Sequence, residues 1–233
     1  PLHAATQNVI GIGLAMPGVV DGNGLVKRST LLGWRNVDVR TPIERRFSLP
    51  VTVNNDATAA MFTERLFGKG GPNMMFGRLR RGVGGAVLLG DVPVFGENHA
   101  GGEIGHISLD PQGPPCACGK RGCLERLVSA TSLHARLQRS DERMRASILR
   151  EAGTYLGTAL SMPVGLLDLA DVCVYGQSDI VNDTLLSAAQ AQLDLLTGSS
   201  FHTRTIIRRC ECEGEITLRG EALSVLHDYL ENR

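Results

Sequence analysis

Three of the six cysteines, Cys116, Cys118 and Cys123, fall within eight positions, and no other feature restricts the fold as strongly. A histidine, His106, lies ten positions before the first of them. Three thiolates and one imidazole form a complete tetrahedral ligand set for a structural zinc ion. Free thiols, or disulfides in an exported protein, are the alternatives. Close spacing in a loop rich in glycine and proline favours the metal site.

The composition is that of a globular protein with a sizeable core. Of the 233 residues, 42% are hydrophobic, and 24 basic side chains balance 24 acidic ones. This balance gives no overall field that would attract nucleic acid or an anionic membrane. No apolar run reaches the ~18 residues that span a bilayer. Because thiolate ligands need a reducing compartment, we expect a cytoplasmic protein.

The segment around the cysteines is similar to a known family signature. Residues 101–125, GGEIGHISLDPQGPPCACGKRGCLE, resemble the signature of the ROK family of sugar kinases and sugar-responsive transcription factors. The resemblance assigns zinc binding to the histidine and the three cysteines. It also implies that Glu103, His106 and Glu125 line the sugar pocket. A histidine fixed by a metal through one ring nitrogen can meet a ligand hydroxyl through the other.

A strand that gives way to a helix carries a second candidate site. Val51 to Val53 read as a strand, and good helix formers follow from Ala57 onward. From the residues alone, Asp56 is most simply the cap of that helix. The family resemblance implies that Asn55 and Asp56 both bind sugar hydroxyls, as the pair does in many repressors. In the kinases Asp56 would also act as the general base.

A glycine-rich stretch between two apolar segments, Gly82, Gly84 and Gly85, resembles the place where family kinases bind the phosphates of ATP-Mg. Backbone N–H groups in such turns can bind phosphate, but a plain hairpin turn is equally compatible with the pattern. Arg81 stands where the kinases carry a small hydroxyl residue. Gln177 replaces a glycine that backs the adenosine. Both departures argue against a kinase.

The resemblance implies an α/β protein with the actin-like ATPase/sugar-kinase (ribonuclease H-like) fold, two subdomains around a cleft, and a zinc knuckle. We expect an incomplete N-terminal subdomain at residues 1–56 plus 219–233, because the family's D-x-G-x-T turn is not found. The C-terminal subdomain would span 57–218, with the zinc loop at 99–125. Residues 206–218 read as strands that place Cys210 and Cys212 on one face, and 220–230 as a closing helix.

The functional expectation is the sugar- or sugar-phosphate-binding domain of a ROK-type transcriptional regulator. No winged helix is visible in this chain, so DNA contact is expected only through a segment outside it. The alternative is an ATP-dependent hexose kinase with Asp56 as base, and a third possibility is a zinc-stabilised remnant with neither activity. Family members usually form dimers or tetramers, and we expect the same here, with no membrane partner.

Overall fold

The computed structural model describes residues 9–201 and 203–231. The strands, in chain order, are β1 (Ile12–Met16), β2 (Val19–Val20), β3 (Leu25–Ser29), β4 (Trp34–Asp38), β5 (Val51–Asn55), β6 (Met74–Leu79), β7 (Val83–Leu89), β8 (Val92–Pro93), β9 (Asp171–Gly176) and β10 (Ile206–Arg209). The α-helices are α1 (Arg40–Phe47), α2 (Asp56–Phe67), α3 (Leu124–Val128), α4 (Ala130–Leu137), α5 (Glu142–Leu167), α6 (Asp183–Thr197) and α7 (Ile216–Glu231). None of the helices in these described ranges is both long and apolar enough to span a bilayer.

The chain folds into two compact units. The first comprises Pro1–Gly68, Phe95–Ala100 and Cys212–Arg233, and the second comprises Lys69–Val94 and Gly101–Glu211. These limits differ from the predicted boundaries at residues 56 and 218. Helix α2, Phe95–Ala100 and the chain from Cys212 onward all belong with the first unit.

Helix α2 packs on α7 in the first unit through backbone contact. A Cβ added to Gly220 would lie 1.7 Å from the carbonyl oxygen of Ala59, so only glycine permits this crossing. The Thr63 hydroxyl donates to the carbonyl of Ile216 at 2.6 Å. The same unit pairs β1 with β5 in parallel and β2, β3 and β4 in a separate antiparallel sheet.

The second unit is built on a mixed sheet in the order β10-β9-β6-β7-β8. Strands β10, β9 and β6 run parallel, whereas β7 and β8 are antiparallel to their neighbours. Valines at 172 and 174 alternate along β9 and are fully buried, as expected of a central strand covered on its faces. Cys173 between them is also buried.

Helices α5 and α6 pack closely against each other and form much of the second unit's core. A Cβ on Gly153 would lie 2.3 Å from the carbonyl oxygen of Leu185, and one on Gly157 would lie 2.4 Å from that of Ala189. Both glycines therefore allow the two backbones to approach. The buried apolar cluster includes Leu156 on α5 and also side chains from β6, β9 and α3.

The prediction of strands over residues 206–218 is wrong beyond Arg209. Strand β10 ends there, and helix α7 already begins at Ile216, four residues before the predicted closing helix. Cys210 and Cys212 are buried but lie in the connection between these elements rather than on a strand. Residues 216–219 alternate between apolar and polar side chains, which predicts a strand. Packing against α2 stabilises a helix there instead.

Candidate functional site

The loop that precedes α3 contains little regular structure and is shaped by tight turns. The amide of Cys116 donates to the carbonyl of Lys120 at 2.8 Å, and the amide of Gly119 donates to that of Cys116 at 3.0 Å. Gly119 and Gly122 have φ values of 98° and 57°, which glycine adopts at little cost. A Cβ on Gly122 would lie 1.7 Å from the carbonyl oxygen of Asp110, so this close approach also requires glycine.

These turns bring the four predicted metal ligands together. The donor atoms of His106, Cys116, Cys118 and Cys123 all lie within 4.8 Å of one another. His106 Nδ1 is 3.6 Å from Cys116 Sγ, and Cys118 Sγ is 3.6 Å from Cys123 Sγ. In a tetrahedral zinc site, a nitrogen and a sulfur lie about 3.6 Å apart and two sulfurs about 3.8 Å. The cluster therefore has the dimensions needed to hold a metal ion.

The electrostatics of the thiols also favour a cation at this position. Burial, together with the neighbouring sulfurs of Cys118 and Cys116, raises the pKa of Cys123 to about 12. At Cys118, burial opposes ionisation, but the Lys120 amide and the two adjacent thiols lower the pKa overall. Without a cation, three thiolates cannot share so small a volume. Coordination would reverse this penalty by stabilising the ionised sulfurs.

His106 also joins the cluster to a predicted sugar-binding carboxylate. It ends the 3₁₀ turn Ile104–His106, and its Nε2 lies 3.8 Å from Glu103 Oε2. Both side chains are partly accessible. With Nδ1 directed at the cysteines, the ring orientation is set and Nε2 is presented on the side of Glu103.

Glu125 lies in the first turn of α3, two positions after Cys123, the last cysteine of the cluster. The 3₁₀ turn packs against α3, and the amide of Leu124 donates to the carbonyl of Ile107 at 2.8 Å. The Glu125 carboxylate accepts a hydrogen bond from the Val83 amide at 3.1 Å. The second unit thus brings Glu103, His106 and Glu125 into one region.

Only one of the three glycines of the expected phosphate loop lies in a turn. Gly82 belongs to the connection between β6 and β7, whereas Gly84 and Gly85 lie within β7, opposite Arg78 and Gly77. Next to the turn, Arg80 donates to the Tyr175 hydroxyl at 3.3 Å and stacks on its ring. The expected glycine-rich turn is therefore a short hairpin connection that contains Arg80, Arg81 and one glycine.

The strand-to-helix junction of the first unit differs from the simplest sequence interpretation. The cap of α2 is Asn55, whose Oδ1 accepts from the amides of Ala57 at 2.8 Å and Thr58 at 3.3 Å. Its Nδ2 donates to the carbonyl of Gly18 at 2.9 Å. Asp56 is the first helical residue and is partly buried, so the prediction of Asp56 as the cap is wrong.

The sequence did not predict buried carboxylates, but Glu64 on α2 and Glu221 on α7 are both buried. Glu221 on α7 is 2% exposed, and its Oε2 accepts from the Asn54 amide at 3.3 Å, while its Oε1 has no hydrogen-bond partner. Burial raises the pKa of Glu221 to about 7, and the nearby Asp228 acts in the same direction. The signal that could have revealed it is a glutamate four residues before Val225, on the helix face that packs inward.

The fold places this chain among the α/β proteins with the actin-like sugar-kinase fold. A ROK hexokinase from Thermus thermophilus superposes with a TM-score of 0.79 at 26% identity, covering 95% of this chain and 80% of that one. A ROK family transcriptional regulator, a homologue of the E. coli MLC protein, gives a TM-score of 0.82 at 24% identity, covering 95% of this chain and 64% of the other.

The ROK family model matches residues 1–160, and this chain belongs to the ROK family. A glucokinase of Halalkalibacterium halodurans is 39% identical over 135 residues, which are 56% of this chain and 41% of that protein. A xylose repressor of Bacillus subtilis is 31% identical over 138 residues, 58% of this chain and 36% of the repressor. The chain therefore matches less than half of either relative, and the family includes both kinases and repressors.

Proposed function

We propose that this chain binds a monosaccharide or sugar phosphate as the effector-binding part of a ROK-type transcriptional regulator. Glu103, His106 and Glu125 hydrogen-bond the sugar hydroxyls. The observation that carries the proposal is the position of His106, with Nδ1 at the cysteine cluster and Nε2 beside the Glu103 carboxylate. Carboxylates and a fixed imidazole offer charge-assisted hydrogen bonds at defined angles, which suits recognition of a polyol.

Zinc is the metal that best fits the cluster. Cys116, Cys118, Cys123 and His106 provide soft and borderline ligands in a closed four-coordinate set, which is typical of structural zinc. The ion would hold the loop and would itself take no part in chemistry. The reducing conditions that such thiolates require support a cytoplasmic location.

The hairpin turn before β7 favours the regulator over the kinase. Its Val83 amide donates to the carboxylate of Glu125, so a nucleotide phosphate bound there would be repelled by that charge. Arg81 adds bulk at the turn. The regulator hypothesis places DNA binding in a segment outside these 233 residues and, as in other family members, expects a homodimer or tetramer.

The second candidate function is an ATP-dependent hexose kinase, and the geometry of α2 favours it. Because Asn55 caps the helix, Asp56 is not needed for that task. An ionised aspartate in the first turn is suited to accept a proton from a hydroxyl during phosphoryl transfer. ATP-Mg would be the cofactor of this activity only.

One set of assays separates these functions. Purified full chain is titrated with D-glucose and D-xylose by calorimetry, and hexose-dependent ADP release from ATP-Mg is measured in parallel. Sugar binding without ADP release, weakened but not abolished by Asp56→Ala, supports the regulator. Sugar-dependent ADP release that disappears in Asp56→Asn overturns it in favour of the kinase. A folded, metal-loaded sample that responds to no sugar in a panel of hexoses, pentoses and their phosphates supports the remnant.

A further inference from the structure

The turn between β6 and β7 is bonded to the segment that carries Glu125. The Val83 amide donates to Glu125 Oε2 at 3.1 Å. The Ala130 amide donates to the carbonyl of Arg80 at 2.9 Å, and the Thr131 hydroxyl bonds the next carbonyl of the turn at 3.2 Å. These hydrogen bonds join the hairpin to the start of α3 and of α4, and the Glu125 carboxylate accepts one of them.

Gly82 makes this arrangement possible. A Cβ placed on Gly82 would lie 2.5 Å from Glu125 Oε2 and 3.5 Å from its Cδ, and these are the nearest atoms that it would meet. The φ angle of Gly82 lies outside the left-handed region, so its backbone would accept an alanine. The Glu125 carboxylate is the end of a flexible side chain, so it would move aside while the fold stayed in place.

We propose that Gly82 is a positioning residue for the sugar site. Its missing side chain leaves the space in which Glu125 Oε2 meets the Val83 amide. That bond leaves Oε1 to accept from a sugar hydroxyl. The inference rests on the proposed function because it takes Glu125 as a sugar ligand, and it adds the backbone group and the glycine that set the direction of this carboxylate. Preorganisation of this kind lowers the cost of ordering a ligand-binding side chain.

The direct test replaces Gly82 with alanine in the full chain and measures binding of D-glucose and D-xylose by calorimetry. We expect Gly82→Ala to weaken binding about ten- to a hundredfold, as for loss of a charge-assisted hydrogen bond, with an unchanged metal content. Gly77→Ala is the matched control. It lies in the same hairpin, and its added Cβ would make only an ordinary contact, 3.9 Å from the carbonyl oxygen of Cys173. Equal affinity of the two variants overturns the inference.

A double mutant distinguishes positioning from general damage. In a Glu125→Ala background, Gly82→Ala should cause no further loss of affinity, because the carboxylate on which it acts is gone. Losses that add would show that Gly82 acts by another route and would overturn the inference.

Hydrogen exchange tests the inference without sugar, in case neither D-glucose nor D-xylose binds. Hydrogen exchange of the Val83 amide should accelerate about tenfold or more in Gly82→Ala and in Glu125→Ala alike, and stay unchanged in Gly77→Ala. Slow exchange retained in Gly82→Ala overturns the inference. Wild-type chain that shows the protected amide but binds no sugar contradicts the proposed function and leaves the positioning contact intact.

Discussion

The two regions that carry the candidate sugar ligands fix their polar side chains in different ways. The loop from residue 104 to residue 123 consists of a 3₁₀ turn, isolated bridges and glycine turns, and its donor atoms converge on one point. The Asn55–Asp56 junction lies between a strand and a helix, and backbone hydrogen bonds hold it. We therefore expect the loop to depend on what its donors bind, whereas the junction is held by regular secondary structure.

The two regions also differ in the kind of charge that must be compensated. In the loop, three thiols lie close together, and ionisation of all three would require a cation. Next to the junction, the buried Glu221 carboxylate bonds Asn54, the neighbour of Asn55, and must hold or release a proton. We therefore expect the stability of the loop to depend on metal, and the stability of the junction to depend on pH.

Metal removal should give the largest effect and is the strongest test of this difference. We expect about one zinc per chain by elemental analysis. Because metal binding and folding are coupled in such sites, chelation should unfold residues 101–125. Hydrogen exchange measured by mass spectrometry should show loss of protection there, with little change in β5 and α2.

Two cysteine variants test the metal prediction further. Cys118→Ser should lower the metal content and reproduce the effect of chelation, whereas Cys212→Ala, a change to a buried thiol outside the cluster, should retain the metal. Wild-type protein without metal but with full protection of residues 101–125 would contradict the ligand assignment.

Glu221 gives the next largest effect, on the pH dependence of unfolding. Its folded pKa of about 7 lies above the ordinary value of 4.5, so the folded form binds the proton more tightly. The resulting stability is fully present below pH 4.5 and is lost as the pH rises through about 7. The difference of the two values corresponds to about 3 kcal/mol.

Glu221→Gln should remove this dependence, because an amide has no proton to lose. The free energy of unfolding from urea titrations should fall between about pH 5 and about pH 8 in the wild type and change less in the variant. Arg219→Gln at an exposed position of the same helix is the control and should keep the wild-type slope. Parallel curves for the wild type and Glu221→Gln would contradict the buried-acid account.

The sequence predicted the loop better than the junction for a physical reason. Metal ligands must be of particular types at short spacing, so His106, Cys116 and their partners could be grouped without knowing the fold. The structure brings these donors together, and the metal itself stays a prediction. The hexokinase and regulator structures likewise confirm the fold class that the resemblance implied.

Features that depend on one residue of register, or on packing between distant segments, could not be predicted. Asn55 and Asp56 are both good caps, and the choice depends on where the strand ends. Helix α7 begins early because Ile216 and Gly220 contact α2, which is about 150 positions away in the chain. The burial of Glu221 follows from that contact. Gly84 and Gly85 were assigned to a loop because glycines are common in turns, but strand pairing with β6 places them in β7.

The smallest predicted effect concerns the cap at the junction. Asn55→Ala removes an acceptor for two helix amides and a donor to the Gly18 carbonyl, so we expect a loss of about 1–2 kcal/mol in the free energy of unfolding. Urea titration measures it. Asn55→Ser keeps a capping oxygen but loses the bond to Gly18, so it should cost less than Asn55→Ala.

The same variants test whether the junction is independent of the loop. Because Asn55 is held by backbone groups of the first unit, neither substitution should change the metal content. A cap variant that lost zinc, or one as stable as the wild type, would contradict the difference between the two regions. Since Oδ1 and one Nδ2 proton of Asn55 already have partners, at most one amide hydrogen is left for a ligand. We therefore expect Asn55 to act mainly by placing Asp56 at the start of α2.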